Sequence, residues 1–223
     1  MEINASNVSV TIDGHDVLVD ETVSAIPGRT LALVGPSGCG KTTLLNVLAL
    51  LRRVNAGRVQ LGDQDATRWD DRRRRKFWQQ HTAFVFQDYG LIDEESVAYN
   101  VALSKLPLLP HRANRMPRVE GILERVGLAG RGEDTVSTLS GGEKQRVGLA
   151  RAMFRSADVI FADEPTASLD RENRRLVTDF LLQEAARGAA VVIATHDETL
   201  MALCDLRFEL GHSGSRRGPI PPR

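Results

Sequence analysis

The residues with the clearest chemical potential lie between positions 31 and 43, where a short apolar run gives way to glycines and then to Lys41 and Thr42. Gly35 and Gly40 precede this pair at the spacing G-x-x-x-x-G-K-[ST], which is typical of a loop that binds phosphate groups. Glycines let backbone N–H groups curl around an anion, and a helix that begins here adds the positive end of its dipole. Residues 31–51 are therefore predicted to form a strand, a phosphate-binding loop and a helix.

This pattern is the P-loop of nucleoside triphosphatases. In such a loop Lys41 reaches the β- and γ-phosphates, and Thr42 offers its hydroxyl to Mg²⁺. A chance glycine-rich turn before a structural helix is the alternative, but the complete pattern between an apolar strand and a helix argues against it. The residues predicted to bind the nucleotide here are Gly35, Pro36, Ser37, Gly38, Cys39, Gly40, Lys41, Thr42 and Thr43.

Polar residues also end three further apolar segments, each typical of a buried strand. Gln87 ends the first, Asp163 and Glu164 the second, and His196 the third. The carboxyl ends of parallel strands meet at one edge of a sheet, where α/β proteins bind ligands. Carboxylates beside a P-loop suit Mg²⁺ binding by Asp163 and activation of water by Glu164. Taken alone, Gln87 would be an ordinary loop residue and His196 a structural histidine.

A second candidate anion site begins at Ser140, which is followed by Gly141 and Gly142. Ser140 and Glu143 form the S-x-x-E pattern of a capping box at the start of an apolar helix. A capped, glycine-flanked helix start presents free N–H groups to an anion. Two phosphate-binding helix starts in one chain require either two ligands or an arrangement in which each completes the other's site.

The elements that position these residues indicate an α/β fold. Residues 3–10 and 17–25 alternate apolar and polar side chains around the turn at Asp13-Gly14, which predicts an N-terminal antiparallel β subdomain. Residues 96–127 carry apolar side chains at helical spacing. We expect a P-loop core of mostly parallel sheet flanked by helices over about residues 1–87 and 157–211, an inserted α-helical subdomain over about residues 88–156, and a flexible tail over residues 212–223.

Composition narrows the class of function. The formal net charge is +0, which argues against capture of nucleic acid or membrane by bulk charge. We find no segment suited to span a bilayer and no signal peptide, and Cys39 and Cys204 do not suggest a disulfide framework. The basic run at residues 72–76 could contact nucleic acid or lipid headgroups, but a solvated helix face is the simpler interpretation.

The sequence LSGGEKQ at residues 139–145, with the motifs above in the same order, resembles the ATP-binding subunit of an ABC transporter. The resemblance runs from about residue 3 to residue 210. It is strongest to the exporter-type branch that includes MacB, LolD and FtsE, and within it to ATPases associated with bacteriocin export. The resemblance implies binding of ATP and Mg²⁺, with Glu164 as the general base and with Lys41 and His196 as its partners in catalysis.

Further contacts are implied by the same resemblance. ATP would be contacted by Gln87, Ser140, Gly141, Gly142 and Ile12, and Mg²⁺ by Thr42, Gln87 and Asp163. Residues 167–170 resemble the D-loop of the family. The family usually stacks an aromatic residue on adenine at the position that holds Ile12 here, so plain apolar contact would replace stacking in this chain.

The implied partners are a second copy of the chain, in a head-to-tail pair around two ATP molecules, and a separate integral membrane permease. ATP hydrolysis would drive export or membrane extraction of a peptide, lipid or drug-like substrate, with the chain peripheral to the cytoplasmic face of the membrane. No nucleic acid partner is expected. The alternatives are an ABC ATPase that acts on nucleic acid or the ribosome, and an ordinary P-loop kinase, which would have no use for the LSGGEKQ sequence.

Overall fold

Two β-sheets organise the protein. The computed structural model describes residues 1–86, 90–103, 116–167 and 169–211. One sheet has four antiparallel strands and the other has five parallel strands. Helices flank the parallel sheet, which confirms the predicted α/β fold. Gln87, Ser168 and the predicted tail at residues 212–223 lie outside the described residues.

The antiparallel sheet contains β1 (Ile3–Ile12), β2 (His15–Ala25), β4 (Ala56–Leu61) and β5 (Gln64–Asp65) in the order β2-β1-β4-β5. The hairpin between β1 and β2 turns at Asp13-Gly14, where φ is 49° and 80°, a conformation that suits glycine. Both strands extend two residues closer to this turn than predicted. Ile12 is consequently paired with His15.

The parallel sheet contains β3 (Thr30–Val34), β6 (Thr82–Phe86), β7 (Val159–Asp163), β8 (Ala190–Ala194) and β9 (Leu206–Glu209) in the order β6-β7-β8-β3-β9. Strands β3, β7 and β8 are nearly continuous apolar runs because both faces of the sheet are covered. Since all five strands run in the same direction, their carboxyl ends lie along one edge.

The described α-helices are α1 (Lys41–Leu48), α2 (Asp71–His81), α3 (Val97–Ala102), α4 (Pro117–Arg125), α5 (Gly141–Arg155), α6 (Arg171–Ala186) and α7 (Glu198–Leu203). A 3₁₀ turn at Val136–Thr138 precedes α5. Helix α1 begins directly after Gly40, whose φ of 100° ends the preceding loop. Over the described ranges, we find no helix with the length and apolar character needed to cross a membrane.

The buried side chains form two clusters, one on each face of the parallel sheet. Leu31 and Leu33 of β3 belong to the cluster shared with α1 and the antiparallel sheet. Ala32 and Val34 belong to the cluster shared with α3, α4 and α5. The inserted helices therefore pack on the parallel sheet and share a core with it. Their division from the P-loop core near residues 87 and 157 stays a prediction.

Helix α2 corrects one expectation about the basic run. The interpretation as a solvated face holds for Arg72, Arg73, Arg75 and Lys76, which are exposed, and is wrong for Arg74, which is 4% exposed. The guanidinium of Arg74 donates to the carbonyl oxygens of Leu50 at 2.9 Å and of Trp69 at 3.1 Å. Leu50 follows the end of α1, where a helix leaves carbonyl oxygens without internal partners. Arg74 therefore joins α2 to the end of α1.

Candidate nucleotide-binding and catalytic site

The loop over residues 35–40 joins β3 to α1 and requires glycine at both ends. Gly35 and Gly40 have φ of 146° and 100°, which L side chains rarely adopt. A Cβ atom on Gly35 would lie 2.6 Å from the carbonyl oxygen of Leu210, and one on Gly40 would lie 2.9 Å from Cδ2 of Leu18. The loop is therefore held between the chain that leaves β9 and strand β2.

Lys41 opens helix α1 and turns its side chain back into the loop. Its Nζ donates to the carbonyl oxygens of Gly35 at 2.9 Å and of Pro36 at 3.0 Å, and the residue is 9% exposed. The ammonium group is thus held inside the loop by two neutral acceptors. A phosphate that entered the loop would be a stronger, charge-assisted partner.

Thr42 and Asp163 meet at the carboxyl edge of the parallel sheet. Oγ1 of Thr42 donates to Oδ1 of Asp163 at 3.1 Å. Burial raises the pKa of Asp163 above its usual value, and the hydrogen bond from Thr42 opposes part of that rise. A hydroxyl and a carboxylate oxygen are ligand types that Mg²⁺ prefers, so the pair fits a Mg²⁺ site that is completed by phosphate and water. The described part of the chain has no cluster of three or more His, Cys, Asp or Glu side chains that could hold a metal.

Glu164 follows β7 with a left-handed backbone, φ 44°, which is uncommon for a residue other than glycine. Its N–H donates to the carbonyl oxygen of Ala194 at 2.8 Å, which joins this turn to β8. Its Oε2 lies 2.8 Å from Nδ1 of His196 and accepts the backbone N–H of His196 at 3.3 Å. The predicted base and the predicted catalytic histidine are therefore in direct contact.

A cavity of about 270 Å³ adjoins this pair and is lined in part by Glu164, His196, Thr166 and Asp197. The Thr166 hydroxyl donates to Oδ2 of Asp197 at 3.0 Å. Oδ1 of Asp197 accepts two N–H groups in the first turn of α7, at 2.9 and 3.2 Å. Asp197 therefore fixes the backbone next to His196 against the turn that carries Glu164. Sequence reasoning did not single out Asp197, although an aspartate between a strand and a helix is a helix N-cap signal.

Helix α5 begins with the predicted capping box. The hydroxyl of Ser140 accepts the N–H of Glu143 at 3.4 Å, and the carboxylate of Glu143 accepts the N–H of Ser140 at 2.8 Å. Hydrogen bonds from Ser140 and from Arg131 lower the pKa of Glu143 to about 2. A Cβ atom on Gly142 would lie 3.1 Å from Nδ2 of Asn173, so glycine lets the start of α5 approach α6 closely.

The start of α5 is not joined to the P-loop within one chain. Among the described residues, no hydrogen bond or ion pair connects residues 140–142 with residues 35–43. The P-loop is linked instead to β7 through Thr42 and Asp163. Both helix starts predicted from the sequence are therefore present, and among the described residues no hydrogen bond or ion pair joins one to the other.

Ile12 lies near the tip of the N-terminal hairpin, on the side that packs against the P-loop. Val10 pairs with Leu18, and Leu18 is the side chain whose Cδ2 approaches Gly40. Ile12 is two residues beyond Val10 on the same face of β1, and its cross-strand partner is His15. Ile12 is half-buried and borders the core cluster below the loop. Its side chain therefore lies on the same face of β1 as Val10, whose partner Leu18 approaches the loop.

The predicted site residues of the described chain gather at the carboxyl edge of the parallel sheet, apart from those at the start of α5 and Ile12. A loop shaped for phosphate, a hydroxyl–carboxylate pair and a contacting Glu–His pair occupy this edge. Gln87 follows β6 in the sequence and is outside the described residues. Fold and site together define a P-loop nucleoside triphosphatase.

Comparison with known proteins gives the family. The model of the ABC transporter family matches residues 19–167. The ATP-binding protein LolD 1 of the lipoprotein-releasing system of Rhodopirellula baltica is 38% identical over 185 residues, 82% of this chain and 81% of that protein. The macrolide export ATP-binding/permease protein MacB of Rhodopseudomonas palustris is 37% identical over 193 residues, 86% of this chain and 30% of that protein. The matched MacB proteins are therefore about three times as long as the aligned region.

Solved structures agree with this assignment. The dimeric ABC transporter cassette MJ0796 superposes with a TM-score of 0.82 at 26% identity, covering 93% of this chain and 94% of that chain. The dimeric post-hydrolysis state of MJ0796 bound to ADP and Pi superposes with a TM-score of 0.85 at 25% identity, covering 99% of both chains. The chain belongs to the ABC transporter family and is an ATP-hydrolysing subunit of that family. This confirms the predicted resemblance to the MacB and LolD branch and favours transport over action on nucleic acid.

Proposed function

We propose that two copies of this ATPase close head to tail around two ATP molecules and thereby drive a separate membrane permease. The observation that carries the proposal is the separation of the two candidate phosphate sites within one chain. Helix α5 begins with a capped, glycine-flanked turn, yet no hydrogen bond joins residues 140–142 to the P-loop of the same molecule. In a head-to-tail pair, Ser140, Gly141 and Gly142 of one copy would complete the P-loop site of the other.

Within each site the residues have distinct roles. Residues 35–43 bind the phosphates through backbone N–H groups, and Lys41 exchanges its two carbonyl partners for phosphate oxygens. Thr42 and Asp163 would hold Mg²⁺, which supplies positive charge that offsets the charge on the phosphates. Ile12 provides apolar contact to the base. Gln87 is proposed to contact both the nucleotide and Mg²⁺.

Hydrolysis requires a base close to the attacking water. Glu164 is the candidate because its carboxylate is at the edge of the cavity and is oriented by His196. It would accept a proton from water as the oxygen attacks the γ-phosphate, while His196 and Lys41 stabilise the charge that develops on the phosphate. Loss of the γ-phosphate then removes a ligand that joins the two copies and allows them to separate.

The transport partner is inferred from the relatives. LolD 1 is described as part of a lipoprotein-releasing system and MacB as a macrolide export protein with its own permease. We infer that this chain likewise works at the inner face of a membrane, bound to a permease, in export or membrane extraction of a peptide, lipid or drug-like substrate. A link to bacteriocin export stays a prediction.

A pull-down from detergent-solubilised membranes tests the proposed permease partner. The tagged chain should recover a multi-span protein, and recovery of ribosomes or nucleic acid alone would contradict the proposal.

The head-to-tail pair can be tested by complementation between two inactive variants. Lys41→Ala removes the P-loop lysine, and Gly142→Glu places a carboxylate at the start of α5. A mixed pair retains one site in which both halves are native, so a mixture should regain ATPase activity that neither variant has alone.

Light scattering tests whether ATP brings two copies together. The Glu164→Gln variant with ATP should show a dimer. Monomers under these conditions, with nucleotide bound, would overturn the arrangement.

A further inference from the structure

Helix α2 carries a stripe of basic side chains that the nucleotide site does not use. Arg72, Arg75 and Lys76 are exposed and lie three and four residues apart, on one side of the helix. Arg74 and Phe77 are buried on the other side. We propose that this stripe, with the turn after α1, binds the headgroups of anionic phospholipids, so that the ATPase contacts a bilayer directly.

The turn after α1 extends the stripe into a continuous surface. Nη2 of Arg53 lies 3.3 Å from Oδ1 of Asp71, and the buried Arg74 donates to the carbonyl oxygen of Leu50 at 2.9 Å. These two contacts hold the turn against the first half of α2. We refer to the exposed side chains of Arg52, Arg53, Arg72, Arg73, Arg75 and Lys76 as the basic surface.

Carboxylates neutralise little of the basic surface. Asp71 pairs with Arg53, and Asp70 accepts the backbone N–H of Arg73 as the N-cap of α2. Within the described chain, Arg52, Arg72, Arg73 and Lys76 form no ion pair. The whole chain has a formal net charge of +0, so this local excess of cations is balanced by acids elsewhere. A field of this kind acts over about one Debye length and suits a partner that presents many anions close together.

The neighbouring apolar side chains favour a lipid surface over nucleic acid. Leu51 is 42% exposed beside Arg52, and an apolar side chain among arginines suits the boundary between headgroups and acyl chains. Phe77 is 3% exposed, and the indole N–H of Trp78 donates to the carbonyl oxygen of Ala49 at 2.8 Å. Phe77 is therefore unavailable for stacking on unpaired bases, and Trp78 is partly buried against the core cluster, which leaves less of its ring for such contacts.

The basic surface can be altered without touching the nucleotide site. Arg72 and Lys76 make no side-chain hydrogen bond or ion pair among the described residues, and both are exposed. Arg125 and Arg175 are exposed arginines on α4 and α6, and Arg175 takes part only in a surface pair with Asp179. The double variant Arg125→Gln/Arg175→Gln therefore removes the same charge as Arg72→Gln/Lys76→Gln and serves as its matched control.

Vesicle flotation of the full purified chain tests the proposal. The vesicles contain either phosphatidylcholine alone or equal parts of phosphatidylcholine and phosphatidylglycerol, at low and at high salt. Each basic side chain near an anionic surface changes the partition coefficient by about fivefold, so Arg72→Gln/Lys76→Gln should weaken binding to the mixed vesicles by about 25-fold. The control variant should stay within about twofold of the native chain, and added salt should weaken native binding.

Four results would overturn the proposal. The first two are no binding of the native chain to the mixed vesicles, and equal binding to the mixed vesicles and to phosphatidylcholine alone. The third is an equal loss of vesicle binding in the two double variants. The fourth is a competition assay in which duplex DNA or transfer RNA binds the basic surface more tightly than the mixed vesicles do. ATPase activity of each variant in detergent-free solution is measured in parallel. Normal ATPase activity in a variant that no longer binds vesicles would show that the loss of lipid binding does not arise from damage to the nucleotide site.

Discussion

Nδ1 of His196 lies 2.8 Å from Oε2 of Glu164, and the two residues follow neighbouring strands of the parallel sheet. The left-handed backbone of Glu164 turns its carboxylate toward the histidine, and Asp197 fixes the backbone beside that histidine. A carboxylate held in this way loses little freedom when it has to accept a proton from water. The contact therefore links β7 and β8 at the point where hydrolysis is proposed.

Substitution Glu164→Gln should abolish turnover and preserve nucleotide binding. The amide cannot accept the proton from water, and loss of a general base typically costs about 10²–10⁴-fold in kcat. The Kd for ATP, measured by calorimetry, should change by less than about threefold because Lys41 and the loop remain. Glu198→Gln removes the same charge from an exposed position in α7 and should leave kcat unchanged. A Glu164→Gln enzyme with near-native kcat would show that another group activates water.

Substitution Asp163→Asn should stabilise the nucleotide-free protein and weaken the binding of Mg²⁺ in the ATP-bound site. Burial raises the pKa of Asp163, which means that burial makes its ionised form less favourable in the folded state than in the unfolded chain. Removing that charge, while the amide oxygen still accepts from Thr42, should raise Tm by about 2–4 °C. Thermal unfolding without nucleotide gives the shift, and ATPase activity titrated with Mg²⁺ gives the loss. A lower Tm would show that the carboxylate is a net stabilising group.

Substitution Ile12→Tyr should tighten the binding of ATP. Ile12 is half-buried near the tip of the hairpin whose Leu18 approaches Gly40 of the P-loop, and we propose that it contacts the base. A tyrosine ring at this position can stack on adenine, and such contacts are worth about 0.5–1.5 kcal/mol, or roughly twofold to tenfold in Kd. Calorimetric titration with ATP measures the gain in affinity. Val19→Tyr, at a position 63% exposed on β2, is the control and should leave the Kd unchanged. Equal Kd values for the native chain and Ile12→Tyr would remove Ile12 from the proposed base site.

Substitution Glu143→Gln should destabilise the protein only where the native carboxylate is ionised. The folded pKa of about 2 is below the ordinary value of 4.5, so the folded state binds fewer protons than the unfolded state between these values. The stabilisation is fully present above about pH 4.5 and is lost as the pH falls toward about 2. We expect Tm to fall by about 2–4 °C at neutral pH, with a difference that shrinks on acidification.

The control for Glu143→Gln is Glu124→Gln, which alters an exposed acid on α4. Its Tm should follow that of the native chain at every pH. If the Tm difference between Glu143→Gln and the native chain is constant across the acid range, ionisation of the capping carboxylate does not stabilise the folded state as expected.

Local sequence patterns determined most of the elements. The P-loop spacing, the capping box at Ser140 and the apolar strands that lead to Asp163 and His196 are all found close to the predicted positions. These features depend on a few consecutive residues, because glycine conformations, helix caps and strand periodicity act over short distances along the chain. The boundaries differ by a few residues, as in the hairpin that extends to Ile12 and His15.

Contacts between distant residues were decided by the tertiary structure alone. The sequence placed Arg74 in a solvated run, but helix packing buried it against the end of α1. The role of Asp197, the contact of Glu164 with His196 and the hydrogen bond of Thr42 to Asp163 likewise required the strand order of the parallel sheet. Which strands become neighbours depends on how the whole core packs, and no short pattern along the chain records that choice.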